Sequence, residues 1–350
     1  MNLETWNLSG SYFHFGKQGL GQEETYSTWS SDSLFAALTA RLAILMGDQA
    51  VTNWIKPFLE GQPPFLLTSL FPFAGQLRFF PVPYASCFPN DQPLPEGLRP
   101  KDLKKVQFVS ESIYRQLLNN GSLVAFYPSH IELHGGIFWL TKEEGDKLPK
   151  SEDRQPIRIW EIDKKPRVTI DRSSNSTALF HLGTVHFAPG CGLWFGVEWR
   201  NSTIGKELLA HLLNDLGEAG LGADRSVGYG KAQFTQGDIL TLPDPVKMWT
   251  SLSRYLPREE EMEAFQHPHA VWKIQTVGGW LDSPQKTGQR RRTINFVQEG
   301  TTLGMPKKTQ LPFGRVVDVR PRYQSGEEYP ISHGVYRSGL TVAVGYGGEE

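Results

Sequence analysis

The run KELLAHLLNDLGEAGLGADRSVGYGKAQF, residues 206–234, decides how the chain is read. Its first part spaces Leu208, Leu209, Leu212, Leu213 and Leu216 as the apolar face of a helix. Gly217 and Gly220 are candidates to close that helix. The end of the run, from Tyr229 onward, reads as a strand. Between helix and strand lie Gly220, Gly222, Gly228 and Gly230, with Arg225, Ser226, Tyr229 and Lys231 interleaved. Glycines in such a turn either supply positive φ angles or let a ligand come close to the backbone. In the second case the exposed N–H groups donate to phosphate oxygens. Arg225 and Lys231 then add charge, and Tyr229 offers a face for an unpaired base.

Outward from this run, the pattern is a mixture of strands and helices. In residues 5–13, Trp6, Leu8 and Tyr12 alternate with polar residues, as in a half-buried strand. Asp32 is placed to cap a helix running to about Met46, with Leu34, Phe35, Leu38, Leu42 and Leu45 on one face. Two proline-bounded extended segments follow at 63–75 and 76–83, then a charged helix over 101–118 with Leu103, Val106, Ile113 and Leu117 inward. Strand patterns return at 167–170, 178–185 and 193–199. Strand, helix, two strands, helix, strand is the ferredoxin-like order, here with a long insertion before its second helix. The proline-containing TLPDPVK at 241–247 marks a boundary, and strand-like segments at 271–277, 293–297, 314–319 and 339–344 follow it. The expectation is an α+β protein. Residues 1–240 form a ferredoxin-like domain with insertions, and residues 241–350 a mostly β, degenerate copy of it.

Composition narrows the function classes. The 36 Lys and Arg nearly balance the 37 Asp and Glu, which excludes a uniformly basic nucleic-acid coat and an acidic disordered chain. The balance is uneven along the chain: from Lys286 to Arg322 there are nine basic residues against two acidic ones. That strip, which includes Arg290, Arg291, Arg292, Lys307 and Arg320, suits a polyanion. Two cysteines, Cys87 and Cys191, give neither a disulfide framework nor a four-cysteine zinc site, and fit a reducing, cytoplasmic setting. No signal peptide or membrane span is read in the sequence. A phosphate-binding P-loop fails, because Ala232 follows Gly230-Lys231 and Arg225 stands five residues before Gly230. Glu24 replaces the third glycine of a dinucleotide pattern begun by Gly19 and Gly21. No enzyme motif, metal site or cofactor site is expected.

The glycine run has the form G-L-G-x-x-R-S-x-G-[FY]-G-[KR] after a leucine-rich helix, and so resembles the RAMP superfamily of CRISPR-associated proteins. Further segments narrow the resemblance: HFG at 14–16, SSDSLFAAL at 30–38, SLFPFAGQLRFFPVP at 69–83, EGTTLGMPKKTQLPFGRVVDVRP at 299–321 and HGVYRSGLTVAV at 333–344. Together they resemble the fourth Csm subunit, which caps the crRNA 5′ handle in the type III-A CRISPR interference complex. The resemblance implies two facing ferredoxin-like (RRM-like) domains with the handle between them, and a β-hairpin thumb at the start of the guide–target duplex. It implies a non-catalytic RNA-binding role in antiviral defence, with crRNA, the large polymerase/cyclase-type subunit, the backbone RAMP subunit and handle-proximal target RNA as partners. Carried onto this chain, the implied handle contacts are Gly222, Arg225, Ser226, Gly228, Tyr229, Gly230 and Lys231, with Ser31, Ser33, His14 and Lys17 nearby. Arg320, Tyr336 and Arg337 would line the other side of the cleft. Arg172 is read as a phosphate contact after a strand, and Arg290–Arg292 and Lys307 enter on charge.

Two other readings stay open on sequence alone. One is an endoribonuclease of the same superfamily that cuts CRISPR precursor RNA, with His14 as its acid or base. The other is a protein-interaction scaffold, which would show no salt-dependent RNA affinity.

Overall fold

The strand expected at the amino terminus is the centre of the principal sheet. In the computed structural model, which describes residues 1–16, 24–87, 93–149, 157–170, 176–281, 289–308, 310–321 and 333–347, β1 spans Asn2–Gly10. Leu3, Thr5 and Leu8 are fully enclosed, so the strand is covered on both faces where one was expected to be wet. Its one buried carboxylate, Glu4, is neutralised by Lys206 at 2.6 Å.

After β1 the chain makes a small pair, β2 (Phe15–Gly16) with β3 (Thr25–Tyr26), and enters α1 (Ser31–Leu59). Strands β4 (Phe65–Leu67), β5 (Phe71–Ala74) and β6 (Leu77–Pro81) follow. An insertion holds α2 (Pro100–Lys105), β7 (Phe108–Ser110), α3 (Glu111–Leu118), β8 (Ile131–Leu133), β9 (Phe138–Leu140) and α4 (Lys142–Gly145). A long ribbon, β10 (Trp160–Ile170) with β11 (Thr177–Phe187), precedes β12 (Cys191–Trp199), α5 (Lys206–Ala219) and β13 (Ala232–Thr241). The sheet runs β13–β1–β12–β5–β6–β7–β9–β8, with β4 also on β12. Helices α1 and α5 are the crossovers of its first part, tied together by the fork of Arg41 on Asp215.

Local chemistry explains two departures from expectation. The cap of α1 is Ser30, held extended, while Asp32 sits in the first turn. The helix passes Met46, breaks at Gly47 (φ 78°) and resumes to Leu59. By length and apolar composition it is long enough to cross a membrane; its Leu34, Phe35, Leu38, Leu42, Trp54 and Phe58 are buried in the main core, Trp54 and Phe58 against Phe65 of β4. The single helix expected over 101–118 is instead two short ones split by β7. There Phe108 and Val109 pair with β6, and a buried, apolar two-sided environment favours strand over helix.

Beyond the boundary segment the described residues are strands and loops: β14 (Met248–Ser251), β15 (Ile274–Val277), β16 (Ile294–Val297), β17 (Thr302–Gly304), β18 (Val316–Asp318), β19 (Tyr336–Ser338) and β20 (Ala343–Tyr346). They form a β17–β14–β20 sheet and two ribbons, β15–β16 and β18–β19. A short 3-10 segment, Glu259–Gln266, carries the acidic run. Its Glu261 is fully buried, accepting from the Arg258 guanidinium, the Tyr255 hydroxyl and the Gly314 N–H. Leu252, Leu340, Val342 and Val344 join the main core, so apolar packing continues across residue 241.

The junction also has a polar knot. The Ser31 N–H donates to Ser69 Oγ (2.9 Å), and Ser31 Oγ accepts from the Arg254 N–H (2.9 Å). Ser69 Oγ and Arg254 Nε both donate to Glu299 Oε1, at 2.5 and 3.0 Å. Arg337 Nη1 donates to Asp32 Oδ2 at 3.0 Å and Ser33 Oγ at 3.3 Å. Burial works against the charged form of Arg254, but Glu299 and Asp32 outweigh it and raise its pKa. Asp32 is completely enclosed, so removing Arg337 leaves a buried charge with the Ser30 hydroxyl but without its ion-pair partner, a change that costs about 3–5 kcal/mol. Arg337→Ala is therefore expected to lower the unfolding free energy by about that amount in urea titration. Asp32→Asn combined with Arg337→Ala should recover part of the loss; equal losses in the single and double variants would contradict the coupling.

Candidate nucleic-acid interface

The glycine run is built onto the backbone of β1's continuation. The apolar stripe of α5, Leu209, Leu212, Leu213 and Leu216, is buried, and the helix closes on Gly220 at φ 89°. At Gly222 (φ 83°) a Cβ would lie 2.4 Å from the His14 carbonyl oxygen, which accepts the next N–H, of Ala223, at 3.0 Å. At Gly230 (φ 84°) a Cβ would lie 2.2 Å from the Leu221 carbonyl; the Gly230 N–H donates to Tyr12 at 2.8 Å. These two glycines thus serve close packing of chain on chain, not close approach of a ligand. Gly228 has open space around it, and with Arg225, Ser226 and Lys231 forms the exposed rim. Asp224, left-handed at φ 57°, turns the chain into the short 3-10 segment Arg225–Val227 that raises this rim.

Beside the rim stands a cluster of rings and cations. Tyr229, nearly buried, meets Tyr12 edge-on at 6.4 Å between centroids, and Tyr12 meets His186 at 5.5 Å. Lys165 Nζ lies 4.3 Å from the Tyr12 ring centre, and the Arg167 guanidinium lies 5.6 Å from that of Tyr229 while donating to its hydroxyl at 3.2 Å. A cation over a π face is attracted by the ring quadrupole without losing its charge. Tyr12 remains 42% exposed beside Lys165, while Asp163 and Glu161 lie 3.7 and 3.9 Å from His186 at the edge of the cluster. Sequence reading missed Tyr12, Lys165, Arg167 and His186 as site residues. The sequence shows only that Ile162, Val168 and Ile170 alternate with Asp163, Lys165 and Arg167; in the fold the polar set is half-buried and the apolar set points outward.

The remaining expected residues separate. His14 is 4% exposed, with Nδ1 donating to the Gly183 carbonyl at 2.5 Å. That bond ties the imidazole to β11 inside the frame. Ser31, also buried, and Ser33 and Arg337 belong to the polar knot. Tyr336 and Arg320 line a groove against Val51, Ile55 and Leu59 of α1. Arg320 Nε donates to Asp318 at 2.7 Å, and burial, with Asp318 adding, raises the Tyr336 phenol's pKa. Arg290, Arg291 and Arg292 lie on the outer part of the β15–β16 ribbon, with Arg292 donating to the Asp318 carbonyl. Lys307 sits beside Glu263 of the acidic 3-10 segment, which accepts its N–H. Lys17 and Arg172 lie outside the described residues.

Contacts link these groups into a belt. Phe15, next to His14, stacks on Trp29 at 5.8 Å, one residue from the Ser30 cap. Phe15 also pairs with Tyr26, whose hydroxyl accepts from Gln275 on β15. The glycine rim, the knot and the base of the second ribbon are therefore neighbours.

Comparison with known proteins agrees with this architecture. Residues 244–346 match the family model of the CRISPR Csm4 C-terminal domain. The chain is 23% identical to a CRISPR system Cms protein Csm4 of Methanocaldococcus jannaschii, over 95% of this chain and 94% of that protein. It is 21% identical to a Csm4 of Thermococcus onnurineus, over 90% of each. The fold matches a chain in the crystal structure of a Csm3–Csm4 subcomplex of the type III-A CRISPR-Cas interference complex (TM-score 0.64, 18% identity, 98% of this chain and 99% of that one). It also matches a chain of a Csm1–Csm4 cassette in complex with cA4 (TM-score 0.56, 16% identity, 99% and 98%). Residues 244–346 match the Csm4 C-terminal domain, the chain aligns almost end to end with Csm4 proteins, and the resemblance to the fourth Csm subunit is borne out.

Proposed function

We propose that this chain is a non-catalytic, RNA-holding subunit of a type III-A CRISPR interference complex, and that the crRNA 5′ handle lies across the glycine rim and the foot of the β10–β11 ribbon. The observation that carries the reading is the juxtaposition of Arg225, Lys231, Lys165 and Arg167 with the open ring of Tyr12. Positive charge that tracks a phosphate backbone, combined with a sequence-tolerant stacking face, is how single strands are held without chemistry on them. The residues that would touch RNA are the exposed ones, while His14, Ser31 and Arg337 hold the frame behind them. The β10–β11 ribbon, with Ile162, Val168, Ile170 and Leu179 exposed along its length, would be the hairpin thumb that meets the start of the guide–target duplex. The partners would be the backbone RAMP subunit and the large polymerase/cyclase-type subunit, as in the complexes of Csm4 proteins with Csm3 and Csm1.

The strand order supports a ferredoxin-like reading of the first half. With the insertion set aside, β1, β4, β12 and β13 lie in the order β13–β1–β12–β4, all antiparallel, with α1 and α5 as crossovers. The mostly β second half would be its degenerate counterpart.

Charge and stacking have separable signatures in binding assays. Reversing both Arg225 and Lys231 to Glu should weaken affinity for handle-containing RNA and flatten the dependence of log K on log salt, by about 0.7 for each phosphate no longer neutralised. Unchanged affinity and complex assembly would refute the reading. Tyr12→Ala should cost about 1–3 kcal/mol of RNA affinity with the salt slope intact. A lowered slope in that variant would mean that Tyr12 positions Lys165 and does not stack. In the assembled complex, sequencing of co-purified RNA should return short RNAs that share one 5′ tag.

A further inference from the structure

The second ribbon carries a largely exposed aromatic residue. Trp280 is 63% exposed and faces Arg290 across the ribbon, where the two residues form a backbone bridge. The Arg290 guanidinium lies 4.7 Å from the centre of the Trp280 ring. The ribbon stays hydrogen-bonded beyond this pair, the Leu281 N–H donating to the Gln289 carbonyl at 2.7 Å, so the pair is mounted on ordered backbone. On the near side, the Arg291 N–H donates to the Gly279 carbonyl at 3.1 Å and the Arg292 N–H to the Val319 carbonyl at 2.9 Å. The Arg291 and Arg292 guanidinium groups rest on the carbonyls of Gly278 and Asp318.

A single exposed ring is ordinary on a protein surface; what marks this one is the cation held against it and the two arginines that follow. The Arg290 guanidinium is the group held against its ring, and Arg291 and Arg292 follow it in sequence. A cation over one face leaves the other face open and makes the site electropositive. That combination suits the flat ring of a base beside a phosphate better than an apolar protein surface. We propose that Trp280 and Arg290 form a second single-stranded RNA contact, in which an unpaired base stacks on the free face of Trp280 while Arg290 to Arg292 attract the backbone. The inference rests on the reading of the chain as RNA-binding, but places a contact on an element separate from the glycine rim.

The test is titration of the full chain with a short fluorescein-labelled oligouridylate at several salt concentrations. Trp280→Ala should weaken binding about 5- to 100-fold with the salt slope unchanged, and Trp280→Tyr should restore most of it. Arg290→Ala should weaken binding and lower the slope by about 0.7. Full affinity and slope in both alanine variants, while reversal of Arg225 and Lys231 still weakens binding, would overturn this proposal and leave the handle reading standing. No effect from any of these variants would overturn both. Intact RNA affinity in Trp280→Ala together with loss of a co-purified subunit would overturn the RNA contact and assign the ring to a protein partner.

Discussion

The arrangement of the two halves depends on a buried charge at the first turn of a helix. Asp32 lies fully enclosed where the Ser30 hydroxyl and the Arg337 guanidinium converge on its carboxylate, and its neighbours Ser31 and Ser33 hydrogen-bond residues from the opposite half. A buried carboxylate tolerates few geometries, because each lone pair must find a donor before desolvation is offset. Apolar packing also crosses this junction, through Leu252, Leu340 and Val342, but is far less directional. The knot therefore selects one relative placement of halves that hydrophobic contact alone would permit to slide.

That placement aligns the rest. Trp29, next to the Ser30 cap, stacks on Phe15, and Phe15 follows the histidine whose carbonyl is clasped by the glycine run. The run is held from below at Gly222 and Gly230, where only hydrogen fits, so its rim of Arg225, Ser226 and Gly228 is presented on a rigid base. Rigid mounting matters for a binder of single strands, since ordering the protein side at the moment of binding would subtract from affinity. The glycines most conspicuous in the sequence are thus mainly structural, and the work of recognition falls to their neighbours.

Much of this was legible in residues 206–234 because helix, turn and strand each follow local rules there. The apolar spacing of α5, the Gly220 stop and the following strand need no distant partner to be read. The same holds for α1 up to Gly47, and for the segments that become β15, β16 and β18. The charged stretch 101–118 misleads, because its helical propensity is overruled at Phe108 and Val109 by pairing with β6, a contact with distant residues that no local pattern carries. Ser31 and Arg337 look like ligand contacts for a similar reason: polar residues beside a motif read as exposed until the fold encloses them. Lys165 and Arg167 do not stand out because their meaning lies in Tyr12 and Tyr229, far off in sequence and adjacent only once β10 folds across β1's continuation.

The near-neutral total charge conceals how the charges are used. Several carboxylates are consumed inside the molecule: Asp32 and Glu261 are fully buried, and Glu4 and Glu144 are 5% exposed. Asp32, Glu261 and Glu4 each neutralise a basic group, Arg337, Arg258 and Lys206. Lys165, Arg167 and Arg290 are held differently, against the rings of Tyr12, Tyr229 and Trp280. A ring orients a cation but leaves its field intact, whereas a carboxylate cancels it. Enclosing some carboxylates in the frame while holding Lys165, Arg167 and Arg290 against rings lets a chain of net charge −1 display basic groups on both ribbons, with Glu161 and Asp163 also partly exposed on the first. Overall charge reports solubility; the pairing of each cation reports what the surface attracts.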